Sequence, residues 1–188
     1  MESYLNNRFY TLFLFPFVLG AVTVFSFQPF NLSFINFIVL PIYFYLAVYI
    51  KKKSKSTYRK KPFRKNLFIY GTTFGFGYFI SGIHWITHSL TFDESFKILI
   101  PFGLIFIPLF LSLFFSIITL LIGPFLKLNF LSILIFSGGL AFSDYLRAKI
   151  LTGFPWNVWI YSFSWSPEII QILDKLGLFA LNLIILTI

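Results

Sequence analysis

The sequence predicts an all-α fold, a polytopic bundle of about six transmembrane helices, and three observations support this. Of the 188 residues, 58% are hydrophobic and only 11% are charged, whereas soluble domains are about 45–50% apolar and about 25% charged. Apolar segments close to the roughly 20 residues that cross a bilayer recur along the chain. Nine of the fifteen Lys and Arg residues fall in the stretch 51–65 between two such segments.

Six apolar segments form one predicted domain, residues 1–188. The predicted spans are 9–27, 34–50, 67–90, 99–122, 129–146 and 178–188. Arg8 precedes the first span as in a signal peptide, but no small-x-small cleavage site follows, which predicts a retained anchor. The last span reaches Ile188 before it attains the required length. We therefore expect this span to be truncated and the chain to be part of a longer protein.

Glycine and proline mark the boundaries and contact faces of these segments. A turn at 26–31, which contains one proline and two amides, ends the first span. In the third span, Gly71 and Gly75 form a small-xxx-small pair, which lets helices approach closely in lipid. Pro101 and Pro108 lie in the fourth span, and we expect them to kink it.

An aromatic-rich stretch, 148–166, follows the fifth span and is predicted to be a re-entrant or interfacial loop. Its large rings suit the aromatic belt at the membrane surface; they are Trp156, Trp159, Tyr161 and Trp165. Ser166 then precedes a proline and an acid, the pattern of a helix start with Ser as its cap. The helix that follows, 169–176, is amphipathic and is predicted to lie at the membrane surface. Gly177 separates it from the sixth span.

The distribution of charge predicts the orientation of the chain. Cytoplasmic loops of membrane proteins carry an excess of Lys and Arg. Placing 51–65 in the cytoplasm leaves eleven Lys and Arg inside and three outside, namely Lys97, Arg147 and Lys149. Lys175, near the start of the sixth span, is not assigned to either side. The basic run could instead bind anionic lipid heads or nucleic acid, but topology explains it more simply. We therefore expect a cytoplasmic N-terminus and no nucleic-acid partner.

Several kinds of chemistry find no support in the sequence. The chain has no Cys, which excludes disulfides and a thiolate nucleophile within it. His84 and His88 share a helix face, but a zinc site needs a third protein ligand. Polar residues at a helix end are the simpler interpretation of this pair. No phosphate loop or dinucleotide fingerprint is present, and we expect neither a metal nor a cofactor.

The end of the fifth span carries the strongest candidate site. Asp144 and Arg147 are three residues apart and can pair on a helix, and ionisable residues at membrane depth are functional candidates. They form either a structural salt bridge or a site in which Arg147 holds a lipid phosphate. Irregular backbone follows, which is costly beside a bilayer unless it is buried or lines a wet cavity. It contains Thr152, Gly153, Phe154, Pro155 and Trp156.

These residues resemble the membrane domain of apolipoprotein N-acyltransferases. That family shows an acidic-aromatic-Leu-Arg step, then Thr-Gly-Phe-Pro-Trp, then a Tyr, a Pro and a Gln before a Gly-marked helix. The corresponding residues here are 144–147, 152–156, Tyr161, Pro167, Gln171 and Gly177. Weaker similarities at 25–30 and 82–86 extend the resemblance from about residue 20 to 188. Asp144 and Tyr145 stand where the family usually has Glu and Trp, and Gln28 replaces a common Ala.

The resemblance implies a parent enzyme in the bacterial inner membrane. Such an enzyme transfers a fatty acyl chain from phospholipid to the N-terminal amine of a diacylglyceryl-cysteine apolipoprotein, through a thiolate. The family's nitrilase-like domain, with its Glu-Lys-Cys set, is not in this sequence, so we expect the chain alone to be inactive. The implied substrate-binding residues are Asp144, Arg147, Thr152, Gly153, Phe154, Pro155, Trp156 and Tyr161.

An alternative is a self-standing integral membrane protein, such as a small transporter subunit. A transporter of this kind should show paired short or broken spans in two related halves. The sequence contains no such internal repeat, which favours the acyltransferase domain.

The orientation can be tested by labelling single cysteines, since the chain has none of its own. We expect a thiol reagent that is restricted to the periplasm to modify Asn157→Cys in intact cells and to leave Ser56→Cys unmodified. Both cysteines should react after detergent permeabilisation, which controls for accessibility. Modification of Ser56→Cys alone in intact cells would reverse the assigned topology.

Overall fold

The computed structural model describes residues 7–55, 63–150, 153 and 155–188, and these form an all-α structure, as predicted. Seven helices follow one another in the described residues. They are α1 (Tyr10–Ser26, with a π-helical first turn and a 3₁₀ last turn), α2 (Asn36–Lys55), α3 (Phe63–Ile83), α4 (Ile100–Ile122), α5 (Phe130–Lys149), α6 (Pro167–Leu176) and α7 (Leu178–Thr187). Shorter 3₁₀ helices cover Ser33–Ile35, His84–Thr91, Glu94–Leu99 and Trp159–Phe163.

Three helical segments in the described residues are long and apolar enough to cross a membrane. They are Ser33–Lys53, Glu94–Ile122 and Phe130–Lys149, while Tyr10–Ser26 and Leu178–Thr187 are apolar but shorter. Pro101 lies in the first turn of α4, where its missing N–H removes no helical hydrogen bond. Pro108 lies inside α4, and the helix continues through it to Ile122.

The third apolar segment changes helix type before its predicted end at residue 90. The α-helix stops at Ile83, and His84–Thr91 forms a 3₁₀ helix. Within this stretch the hydroxyls of Thr87 and Thr91 each donate to a carbonyl three residues earlier, at 2.7 Å. These side-chain bonds follow the same three-residue spacing as the 3₁₀ backbone.

Helix α3 is the centre of the bundle and packs against both α1 and α4 through glycines. A Cβ on Gly71 would lie 2.1 Å from Thr119 Oγ1, and one on Gly75 would lie 2.8 Å from Ser112 Cα. On the other side of α3, a Cβ on Gly77 would lie 2.2 Å from a carbonyl oxygen of α1. These distances confirm the predicted close packing, because only glycine lets the backbones approach this far.

A buried aromatic cluster joins α2 to α3. Tyr43 stacks on Phe74 with ring centroids 3.8 Å apart, and on Tyr70 at 5.0 Å. The hydroxyl of Tyr70 donates to the backbone carbonyl of Tyr43 at 2.8 Å. These rings belong to the main buried cluster of the described bundle, to which α4 and α5 also contribute.

The helix after the aromatic loop begins at Pro167, as the Ser-Pro-Glu pattern predicts. Ser166 occupies the cap position, but its side chain makes no capping bond to the backbone. Its hydroxyl instead donates to the Glu168 carboxylate at 2.8 Å, and this hydrogen bond lowers the pKa of Glu168. Gly177, at φ +78°, separates α6 from α7.

The glycine contact between α3 and α4 can be tested by adding one methyl group. We expect Gly71→Ala to lower the free energy of unfolding by about 1–3 kcal/mol, because its Cβ would overlap Thr119. Gly138→Ala is the matched control, since a Cβ there meets nothing within 4 Å, and it should be neutral or slightly stabilising because alanine favours a helix more than glycine does. Thermal unfolding in detergent micelles measures both. Equal stabilities for the two variants would contradict this packing.

Candidate functional site

An open, largely apolar groove of about 950 Å³ lies beside the end of α3. It is lined by α1 from Phe17 to Phe25, by the turn 27–30, by residues 81–85 and by the loop residues Pro155, Trp156, Asn157, Tyr161 and Ser164. We call it the α1–α3 groove. None of the described residues that line it is Lys, Arg, Asp or Glu. Such a surface suits an apolar chain far better than a charged ligand.

A buried ion pair lies behind the loop wall of this groove. Arg147 Nη2 donates to Asp144 Oδ1 at 2.9 Å, and the two side chains are only 1% and 2% exposed. Arg147 Nη1 donates to the backbone carbonyl of Trp156 at 2.5 Å. The guanidinium also lies over the Phe79 ring, 5.1 Å from its centroid. The Arg147 guanidinium therefore links the loop wall to α5 and α3.

The other oxygen of Asp144 extends this network to α7. Asn182, which is fully buried, donates from Nδ2 to Asp144 Oδ2 at 3.0 Å. Its Oδ1 accepts from the backbone N–H of Ile160 at 3.0 Å. A buried charge is tolerated only when its hydrogen-bonding capacity is met. Asn182 meets this need for the carboxylate while it fixes a second point of the loop.

Two further helices hold the same loop. The hydroxyl of Tyr78 on α3 donates to the carbonyl of Asn157, and its ring stacks on Trp159 at 5.4 Å. From the start of α2, Asn36 donates to the hydroxyl of Ser162 at 2.8 Å. Helices α2, α3, α5 and α7 thus all bond to the segment 156–162, which gives the groove a wall of fixed backbone.

The structure places the predicted site residues in two positions. Pro155, Trp156 and Tyr161 line the groove. Asp144 and Arg147 pair with each other behind the loop and are not part of the groove surface. Gly153 adopts φ +80°, where a Cβ would come within 2.4 Å of the Ala148 carbonyl oxygen. Thr152 and Phe154 lie outside the described residues.

One ring of the predicted interfacial belt is buried inside the bundle. Trp156 and Trp165 are about half exposed, at 50% and 51%, but Trp159 is completely buried. The prediction for Trp159 was therefore wrong, because this ring packs on Tyr78 inside the bundle. The sequence of the loop does not specify which of its rings is buried, because burial depends on the helices that pack against the loop.

Several residues of the site are not among the predicted site residues. Asn182 and Asn157 are the most important, and Trp85 adds a ring that packs edge-to-face on Trp156 at 5.5 Å. An amide within an apolar helix, as at Asn182, was a usable signal. His84 lines the groove as a lone imidazole. In the described part of the chain, no group of three or more metal-binding residues occurs.

The chain is similar to known proteins over most of its length. Residues 19–188 match the family described as apolipoprotein N-acyltransferase N-terminal domain. The apolipoprotein N-acyltransferase of Rhodopseudomonas palustris is 32% identical over 170 residues, which is 88% of this chain and 30% of that protein. The corresponding protein of Brucella melitensis is 30% identical over 169 residues, 88% of this chain and 31% of its own length. The chain thus spans about a third of the length of these relatives.

The energetic role of the buried pair can be tested by a double-mutant cycle. Arg147→Met should lower the free energy of unfolding by about 3–5 kcal/mol, because it leaves Asp144 buried without its cation. Adding Asp144→Asn to Arg147→Met should recover part of this loss, and unfolding in micelles measures each variant.

The exposed pair of Lys97 and Glu94 provides a matched control for this cycle. It has the same three-residue spacing, but its side chains are 46% and 87% exposed. Lys97→Met should therefore cost at most about 1 kcal/mol. Strictly additive effects of the two substitutions at 144 and 147 would refute the coupling.

Proposed function

Because the chain belongs to the apolipoprotein N-acyltransferase N-terminal domain family, we propose that its α1–α3 groove admits an acyl chain of a membrane phospholipid. The chain is the membrane domain of such an enzyme and a bacterial inner-membrane protein. The observation that carries the proposal is the groove itself, an open apolar space of about 950 Å³ with a polar loop at one side. A lipid has the same two parts, a long apolar chain and a polar ester end.

The reaction of the whole enzyme would run in two acyl transfers. A thiolate attacks the ester carbonyl of the phospholipid, which releases a lysophospholipid whose alkoxide takes up a proton. The N-terminal amine of a diacylglyceryl-cysteine apolipoprotein then attacks the thioester, loses a proton as the amide forms, and releases the thiolate. This chain contains no Cys, so it cannot supply the thiolate. Its role is to bind and present lipid, and we expect no acyl transfer by the chain alone.

The predicted site residues would act on the lipid in two ways. Pro155, Trp156 and Tyr161 contact it directly, since they line the groove. Asp144 and Arg147 act through the backbone of the loop, because they bond to each other and to the Trp156 carbonyl. This favours the loop-holding role of Arg147 over a direct contact with lipid phosphate.

The proposed orientation is cytoplasmic for the basic segment and periplasmic for the aromatic loop. Lys51 donates to the Leu126 carbonyl at 2.7 Å, so the basic end of α2 adjoins the turn between α4 and α5. The aromatic loop follows the other end of α5. A helix of 20 residues is about 30 Å long, which is the thickness of the hydrocarbon core. The groove wall and the basic segment would then lie at opposite membrane surfaces.

Filling the groove should block lipid entry. We expect Ala21→Phe, which places a ring in the groove, to reduce lipoprotein acylation by the full-length enzyme by about tenfold, equivalent to about 1.4 kcal/mol. Ala180→Phe on the exposed face of α7 is the control and should leave acylation unchanged. Acylation is normalised to the amount of membrane-inserted protein. Unchanged acylation by Ala21→Phe would exclude the groove from lipid binding.

The groove tryptophan should affect turnover more than folding. Trp156 is half exposed and packs on Trp85, so Trp156→Ala should lower acylation per molecule several-fold while the level of inserted protein changes little. The buried Trp159 offers the contrast, since Trp159→Ala opens a core cavity that costs about 3–5 kcal/mol and should lower both quantities together. Parallel losses in both variants would assign Trp156 a purely structural role.

A further inference from the structure

We propose that Asn157 forms a hydrogen-bonding subsite of the α1–α3 groove for the ester carbonyl of a diacylglyceryl lipid. The proposal rests on the proposed function, since it requires that the groove holds a lipid. It adds a residue and a recognised chemical group, and the predicted site residues do not include Asn157.

The backbone of Asn157 is fixed from the interior of the bundle. Its carbonyl accepts from the hydroxyl of Tyr78, and the preceding carbonyl, of Trp156, accepts from Arg147. Both donors are buried, and neither lines the groove. The side chain of Asn157 is therefore presented from a fixed backbone.

The side chain of Asn157 supplies the donor. It lies against Gly82, where a Cβ would come within 2.0 Å of Nδ2. This nitrogen is buried and has no hydrogen-bond partner among the described residues, although the residue itself lines the groove. A buried polar atom without a partner costs free energy. An oxygen of a bound ligand would remove that cost.

The lining of the groove selects the kind of oxygen that fits. The ionisable side chains among its described lining residues are His84 and Tyr161, and no Lys or Arg is present there. An anionic phosphate or carboxylate in this apolar space would lack a countercharge. A neutral ester carbonyl needs only neutral donors, which Asn157 provides. The adjacent pair of Trp85 and Trp156 suits the level of the lipid headgroups, beside which the glycerol esters lie.

The conformation of Asn157 allows its side chain to be removed without changing the backbone. Its φ is +54°, a left-handed value that glycine adopts freely. Asn157→Gly therefore deletes the amide and keeps the carbonyl that Tyr78 binds. Asn31 is a matched control, because it has φ +58° and does not line the groove. Asn157→Ala is a second variant, which keeps a Cβ and removes the amide donor without adding a charge.

The test compares lipids that differ only in their ester carbonyls. A brominated phosphatidylethanolamine in the groove quenches the tryptophan fluorescence of purified protein in micelles. It is then displaced by diacyl phosphatidylethanolamine or by its dialkyl ether analogue, which has no ester carbonyl. We expect the unmodified protein and Asn31→Gly to bind the diacyl lipid about two- to tenfold more tightly than the ether analogue. This is the ratio of dissociation constants that one hydrogen bond contributes. Asn157→Gly and Asn157→Ala should bind the diacyl lipid and its ether analogue equally.

A further arm identifies the source of the ester. Displacement by a synthetic diacylglyceryl-cysteine peptide and by its ether analogue is measured in the same way. If the ester preference depends on Asn157 when the phospholipids compete, the subsite belongs to the acyl donor. If it depends on Asn157 only when the peptides compete, the subsite belongs to the acceptor. Both results support the ester subsite. If Asn157→Gly keeps the preference, or weakens ester and ether lipids alike, the subsite is refuted. If the unmodified protein binds neither kind of lipid, the proposed function itself fails.

Discussion

One buried guanidinium holds the groove end of this domain together. Arg147 bonds at the same time to the Asp144 carboxylate and to the Trp156 carbonyl, and it lies over the Phe79 ring. Isolated charges are too costly to bury, so this arrangement exists only when all these groups are in place. Asn182 completes the carboxylate's hydrogen bonds from α7. The loop, the end of α5 and α7 therefore form one unit, and the groove wall depends on it.

Charged and apolar residues have separate tasks in this site. The ion pair fixes backbone from the interior, while the described groove surface carries aromatic, aliphatic and neutral polar side chains. A lipid chain can enter such a groove without displacing an ion from its partner. This separation explains how a membrane domain can hold irregular backbone next to lipid, because its carbonyls are satisfied by buried donors.

Most of the fold follows from local properties of the sequence. Apolar stretches and their helical boundaries could be predicted because the solvation of a segment depends mainly on its own residues. The close contact at Gly71 and Gly75 could be predicted because small residues at that spacing create a smooth helix face. The 3₁₀ helix after Ile83 could not be predicted. Its threonine hydroxyls bond to backbone carbonyls three residues earlier, and such side-chain bonds offer the backbone an alternative to a regular α-helix.

The sequence by itself determined that the fold is all-α, that Asp144 and Arg147 can pair three residues apart on one helix, and that irregular backbone follows them. Each of these depends on neighbours in the chain. Only the tertiary structure decided that Trp159 is buried, that Asn182 completes the ion pair, and that Asn157 lines the groove. Those roles require partners from distant helices. A side chain's spacing along the chain does not specify which helix it will face, because that is set by packing of the whole bundle.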